Sequence, residues 1–247
     1  MSGRACPFGT CDGSGLVVDE ATRTSRYCRC REQVASAARA RGLSAVVPKR
    51  YRGVSFDRAP VPSIDVSAVA AIRAYVRNLD RNLDEGRGIW MFGGHGTGKT
   101  TLAMIISKAA LDLGRSVAIY SVPRLLAEIR RTFDDGSELT QTQLVDRLAA
   151  VDLLHLDDVG AEQTSDWVLE QLYAIVNARY EAEKSIVVTT NLTELGELNE
   201  QIGRRTVSRL EEVCQVIPVW GADMRVPRFG EEADVEPQAQ SLRWDVA

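Results

Sequence analysis

The sequence predicts an α/β fold, a parallel sheet flanked by helices, preceded by a small metal-binding segment. Two observations carry the sheet. Short apolar runs of buried-strand type alternate with amphipathic helical stretches from Ile64 onward, the pattern of right-handed crossovers onto parallel strands. One run, Gly88-Ile89-Trp90-Met91-Phe92, opens directly into a glycine-rich loop with a helical stretch behind it, and another, Leu153 to Leu156, ends in paired acids. The third observation concerns the start of the chain, where cysteines cluster. In sheets of this kind ligands collect at the carboxyl ends of the strands, where the glycine loop, the acids and Asn191 all fall.

The loop reads Gly93-Gly94-His95-Gly96-Thr97-Gly98-Lys99-Thr100-Thr101 and fits G-x-x-x-x-G-K-[ST]. Its glycines let backbone N–H groups turn inward around a polyphosphate, and the following helix adds the partial positive charge of its N-terminus. Lys99 is placed to reach the β- and γ-phosphates, and the Thr100 hydroxyl to ligate Mg²⁺. The strand before and the helix after make a chance glycine turn a poor account. A nucleoside triphosphate is the expected ligand.

Asp157 and Asp158 supply the second half-site. Asp157 is expected to hold Mg²⁺ through water and Asp158 to polarise an attacking water. Asn191 follows the strand Ser185 to Thr190. It fits a role in orienting that water or the γ-phosphate, and equally an Asx-turn.

At 247 residues the chain has room for one sizeable domain and a small appendage. No apolar run approaches the roughly 20 residues of a membrane span, and the N-terminus has no signal-peptide core. A cytoplasmic protein without membrane partners is therefore expected. The net charge of −4 argues against a global nucleic-acid field, but the charge is uneven. Residues 1–52 set only Asp12, Asp19, Glu20 and Glu32 against a run of arginines, whereas Glu231, Glu232, Asp234 and Glu236 make the end acidic. A basic end of this kind suits a partner contact or a solvated surface.

Four of the five cysteines, Cys6, Cys11, Cys28 and Cys30, form two close pairs around strand-like Leu16-Val17-Val18. Two tight pairs across a hairpin are what a four-thiolate zinc site requires. Two disulfides or four idle thiols are the alternatives, and a reducing cytosol disfavours the first. Glu32 to Arg41 reads as helical, and Val47 to Tyr51 as an extended linker because of Pro48. Ile64 to Leu83 repeats apolar residues at three and four, marking one amphipathic helix. Ser116 to Tyr120 is a strand, Leu125 to Phe133 and Leu144 to Ala150 are helices, and Val151 to Asp158 is a strand. Trp167 to Glu183 is helical, as is Leu195 to Val213, and Val216 to Val219 is the last strand. The expected divisions are an N-terminal segment 1–47, a nucleotide-binding domain 48–229, and an acidic tail 230–247, expected to be disordered.

The motif series is G-x-x-x-x-G-K-T-T, L-L-x-x-D-D-x-G (Leu153 to Gly160), T-T-N-L (Thr189 to Leu192), G-R-R-T-V-S-R-L (Gly203 to Leu210) and G-A-D-M-R (Gly221 to Arg225). Together it resembles the DnaC/IstB-type family of AAA+ P-loop ATPases, over roughly Tyr51 to Arg225. The resemblance implies an ATPase using ATP and Mg²⁺, with Arg209 as an arginine finger serving a neighbouring subunit. It implies self-association through the ATP site, and Arg225 as a sensor arginine on the γ-phosphate of its own subunit. Many AAA+ proteins carry Asp-Glu where this chain has Asp157-Asp158, so slow, assembly-coupled hydrolysis is expected. The resemblance further implies a loader that delivers a hexameric DnaB-type replicative helicase to single-stranded DNA, gripping it through residues 1–47. A transposition helper binding duplex DNA, or an adaptor with little turnover, are the alternatives. Arg124, Arg130, Arg131 and Phe133 fit a strand-binding surface, or else a helix whose Phe133 packs inward.

Overall fold

A computed structural model describes residue 6 and residues 8–28, 30–31, 43–134 and 139–225. Strands β1 (Leu16–Asp19) and β2 (Thr24–Tyr27) pair as an antiparallel hairpin with Leu16 opposite Tyr27. The main sheet has β3 (Gly88–Phe92), β4 (Val117–Ser121), β5 (Leu153–Asp157), β6 (Ser185–Thr190) and β7 (Cys214–Pro218). All are parallel, in the spatial order β4-β5-β6-β3-β7. The helices are α1 (Val66–Arg77), α2 (Leu79–Asp84), α3 (Lys99–Asp112), α4 (Val122–Arg131), α5 (Gln141–Ala150), α6 (Asp166–Glu181), α7 (Leu195–Leu198) and α8 (Arg204–Val213).

Strand side chains alternate between two layers. Ile89, Met91, Val187 and Ile217 pack against Ile72 of α1 and Leu102 and Ile106 of α3. Trp90, Leu154, Leu156 and Val188 pack on the other face against Leu125, Leu148, Leu172 and Leu210 of α4, α5, α6 and α8. Burial on both faces explains why β3 reads as a continuous apolar run, with every position buried. The open edge of β4 is covered by the approaching chain: the Ile119 N–H donates to the Ser44 carbonyl at 2.6 Å. Leu43 inserts into the core beside it. Among the described residues no helix is long and apolar enough to cross a membrane.

Several elements differ from the sequence expectation, α4 starting at Val122 rather than Leu125 and β7 at Cys214 rather than Val216 among them. The helix expected over Ile64 to Leu83 breaks at Asn78, whose side-chain amide donates to the Ala74 carbonyl at 3.2 Å and competes with the backbone ladder. The helix expected over Leu195 to Val213 is interrupted by a π-turn, Asn199–Gly203, and Gly203 at φ 84° cannot continue a right-handed helix. Lys49–Tyr51 is a 3₁₀ turn rather than extended chain. Helix α5 begins earlier than Leu144, because Thr140 and Gln143 form a reciprocal capping box. The helix expected at Glu32 to Arg41 and the acidic tail 230–247 lie wholly outside the described residues.

Arg179 ties the helical layer to the sheet. It is fully buried and donates to the carbonyls of Leu148 (2.6 Å), Val151 (3.0 Å), Asp152 (3.3 Å) and Ser185. Leu148 belongs to the last turn of α5, where carbonyls lack intrahelical partners. Burial pulls the guanidinium down to about 9, and Asp152 opposes that pull, so the group stays charged at neutral pH. Replacing Arg179 by Met fills similar space but strands these carbonyls. We expect a loss of about 3 kcal/mol or more in urea unfolding; an unchanged midpoint would show that the carbonyls find other donors.

Candidate nucleotide site

Residues Gly96, Thr97, Gly98, Lys99, Thr100, Thr101, Asp157, Asp158, Asn191 and Arg225 line one cleft of about 840 Å³, a size suited to a nucleotide-scale ligand. The strand order brings them together. β6 lies between β3 and β5, so the loop leaving β3 and the acids ending β5 flank the end of β6.

The loop is shaped by close backbone approaches. Gly98 caps α3 at φ 100°, and a Cβ there would run into the Ile64 side chain. Gly96, at φ 70°, lies directly against the Asp223 carboxylate, and its carbonyl accepts from the Met224 N–H at 3.1 Å. That clasp carries Arg225 to the cleft. Gly93 and Gly94 lie beneath it, and their carbonyls accept from Lys99 Nζ at 2.8 and 2.6 Å. His95 is exposed and is not among the lining residues.

Lys99 is only 4% exposed. Burial pulls its ammonium down to about 8; Arg225 adds to the pull, and Asp158, Asp157 and Asp223 oppose it. Opposite, the Thr189 hydroxyl accepts from the Asp158 N–H at 3.0 Å and donates to Asp157 Oδ1 at 2.8 Å. Burial pushes the Asp157 carboxyl up, but His155, Thr189 and Thr100 outweigh it and hold the group below the ordinary range. An ionised Asp157 beside the Thr100 hydroxyl fits a hard divalent cation such as Mg²⁺. The Asn191 amide donates to Asp158 Oδ1 at 3.2 Å, so Asn191 engages the second acid rather than closing an Asx-turn alone.

Arg209 lies elsewhere, on α8. Its guanidinium stacks on the Tyr180 ring at 4.0 Å and faces Glu212 at 3.8 Å. Thr189, Arg50, Tyr51, Pro60 and Met224 also belong to this region and were not expected from sequence. Thr189 reads as an ordinary strand residue, and Lys49–Tyr51 carries no motif; only the T-T-N-L series touches on Thr189. Just past the end of α4, Phe133 is exposed, not packed inward; on the helix Arg124 and Arg131 are exposed and Arg130 stacks on Trp167 at 4.8 Å.

The cysteine sulfurs gather in the hairpin. Cys6 Sγ lies 3.7 Å from Cys28 Sγ, Cys11 Sγ lies 3.4 Å from Cys30 Sγ, and all four fall within 4.8 Å of one another. Disulfide sulfurs lie about 2.05 Å apart, so these are free thiols. Around a tetrahedral ion with bonds of about 2.3 Å, sulfurs sit about 3.8 Å apart. The donor set fits a tetrahedral thiolate metal.

A polyanion binding beside Lys99 requires the ammonium form. In EDTA, where no divalent ion intervenes, nucleotide affinity should be nearly level near pH 7 and fall about fivefold between pH 8 and 9, followed by fluorescent-nucleotide titration. A flat profile to pH 10 would place the Lys99 pKa well above the value set by burial.

Comparison with known proteins follows the same lines. The replicative helicase loader DnaC of Buchnera aphidicola subsp. Baizongia pistaciae is 31% identical over 143 residues, covering 58% of this chain and 56% of that protein. DnaC of Escherichia coli K12 is 30% identical over 146 residues, covering 59% and 57% respectively. The chain thus matches little more than half the length of these relatives. A crystal structure of the DnaC helicase loader superposes with a TM-score of 0.60 at 28% identity, covering 70% of this chain and all of that one. Residues 48–229 match the family described as IstB-like ATP binding protein. With its glycine loop, paired acids and clasping arginine segment, this chain belongs to that family.

Proposed function

We propose that this chain is an ATP-dependent loader that delivers a ring-shaped, DnaB-type replicative helicase to single-stranded DNA. The observation that carries the proposal is the cleft itself, in which a buried lysine faces two acids aligned by Thr189. The loader relatives match more than half of the chain. Residues 48–229 act as the ATPase domain and residues 1–47 as the helicase-gripping segment, stapled by zinc on Cys6, Cys11, Cys28 and Cys30.

In the ATPase reaction Lys99 binds the β- and γ-phosphates, and the loop N–H groups orient them. Mg²⁺, held by Thr100 and Asp157, supplies charge neutralisation along the phosphates when bound. Asp158, steadied by Asn191, accepts a proton from water as its oxygen attacks the γ-phosphorus and the bond to the β–γ bridging oxygen breaks. Arg209 from a neighbouring copy neutralises the transferring group, and Arg225 touches the γ-phosphate within its own copy. Asp158 is one methylene shorter than the glutamate many AAA+ proteins use, so turnover is slow and coupled to assembly. Arg124 and Arg131, exposed on α4, together with the exposed Phe133 just beyond it, suit strand binding through cations and one stacking ring.

The family description favours a second reading, a transposition helper that binds duplex DNA and recruits a transposase. Capture of purified replicative helicase but not transposase supports the loader; the reverse supports the helper. Cys28→Ser should release zinc by metal analysis and abolish helicase capture while leaving nucleotide affinity unchanged. Normal capture by a metal-free protein removes zinc from the account. Arg209→Ala should bind ATP normally yet lose the rise in specific ATPase rate with protein concentration, by about 10³-fold at saturation.

A further inference from the structure

Arg209 does not extend freely from its helix. Its guanidinium carbon lies 4.0 Å from the centroid of Tyr180 on α6, and Nη1 lies 3.8 Å from Glu212 Oε2, one turn further along α8. The Tyr180 hydroxyl donates to the other carboxylate oxygen, Glu212 Oε1, at 2.7 Å, which closes the triangle. An unheld arginine side chain samples many rotamers and loses that freedom on docking. Here the flat face is taken by the ring and one nitrogen faces the carboxylate. Among the described residues the guanidinium makes no further ion pair, and 35% of its side-chain surface is open to solvent, where an anion can approach. Glu212 is itself more than half exposed, so water screens its pull on Arg209.

We propose that Tyr180 and Glu212 are positioning residues that hold Arg209 ready for the phosphates bound in a second copy of this chain. This rests on the reading of Arg209 as a residue acting across a subunit boundary. The aromatic face fixes the plane of the guanidinium, and the Tyr180–Glu212 hydrogen bond fixes the carboxylate that aims it.

Complementation between two defective protomers tests this. Lys99→Ala keeps Arg209 but has no working loop, and Arg209→Ala keeps the loop. Hydrolysis in their mixture arises only where an Arg209→Ala cleft meets the Arg209 of a Lys99→Ala neighbour. Adding Tyr180→Leu to the Lys99→Ala chain should lower the mixture's rate about three- to tenfold, whereas Tyr180→Phe keeps it within about twofold. Glu212→Gln on the same chain should cost about two- to threefold. Tyr180→Leu on the Arg209→Ala chain should leave the rate of the mixture unchanged. Equal losses in both arms would reduce Tyr180 to a role in the fold and overturn the proposal. An unchanged rate overturns it too, as does a faster one, which would mark the triangle as a latch. No hydrolysis in the unmodified mixture would remove the Arg209 reading itself, and the proposal with it.

Discussion

An ammonium group buried beneath a glycine loop needs more than dipoles around it, and much of the site follows from how Lys99 is left incompletely compensated. Two carbonyls, of Gly93 and Gly94, accept from Nζ. They satisfy hydrogen-bonding capacity but, among the described residues, leave the positive charge without a bonded counter-ion. Asp157 and Asp158 are close enough to oppose the fall in the lysine pKa but not to bond it. Had either carboxylate paired with Nζ, the cleft would be neutralised from within and a phosphate would have to displace it. The separation keeps cation and carboxylates apart across a space that a metal-bound polyanion can fill.

The sheet order turns that separation into fixed geometry. With β6 between β3 and β5, a residue at the end of β6 touches the acids and faces the loop. Thr189 is that residue. Its hydroxyl has one proton to give and lone pairs to receive, and it gives to Asp157 while receiving from the Asp158 N–H. Asp158 sits at φ 57°, where a non-glycine residue is held at a cost of roughly 1 kcal/mol or more. The Thr189 bond to its N–H and the Asn191 bond to its carboxylate oppose that cost, and they give the two adjacent acids different partners.

Elements whose character is local were legible in the sequence. β3 and β6 span the residues expected of them, Gly88–Phe92 and Ser185–Thr190, because parallel strands buried on both faces read as nearly continuous apolar runs. The loop lysine, Thr100, both acids, Asn191 and Arg225 were readable because each sits in a motif, and the fold does bring them to one cleft. Long-range choices were not legible. The break at Asn78 depends on a side chain winning against its own helix, and Gly203 could equally have been carried within one. Thr189 gains its importance only from β6 lying between two strands distant in sequence. Arg50 and Tyr51 reach the cleft only because the chain before them is pinned to the β4 edge at Ser44. Periodicity contains none of that information.

The same distinction between local pattern and burial explains the cysteine hairpin. Leu16, Val18 and Tyr27 are exposed at 41, 66 and 68%, so the hairpin hides little apolar surface. Among the described residues its interior consists of cysteines with Val17. A two-stranded hairpin is marginal in water even with a good hydrophobic face. Convergence of four thiols is then itself unfavourable unless something draws the sulfurs together, since each desolvated thiol gains little from its neighbours. A metal ion with four thiolate bonds would supply that attraction, release protons on binding, and tie the folding of the segment to its capture. Leu16, Val18 and Tyr27, outside the cysteine cluster, take no part in that interior and stay exposed.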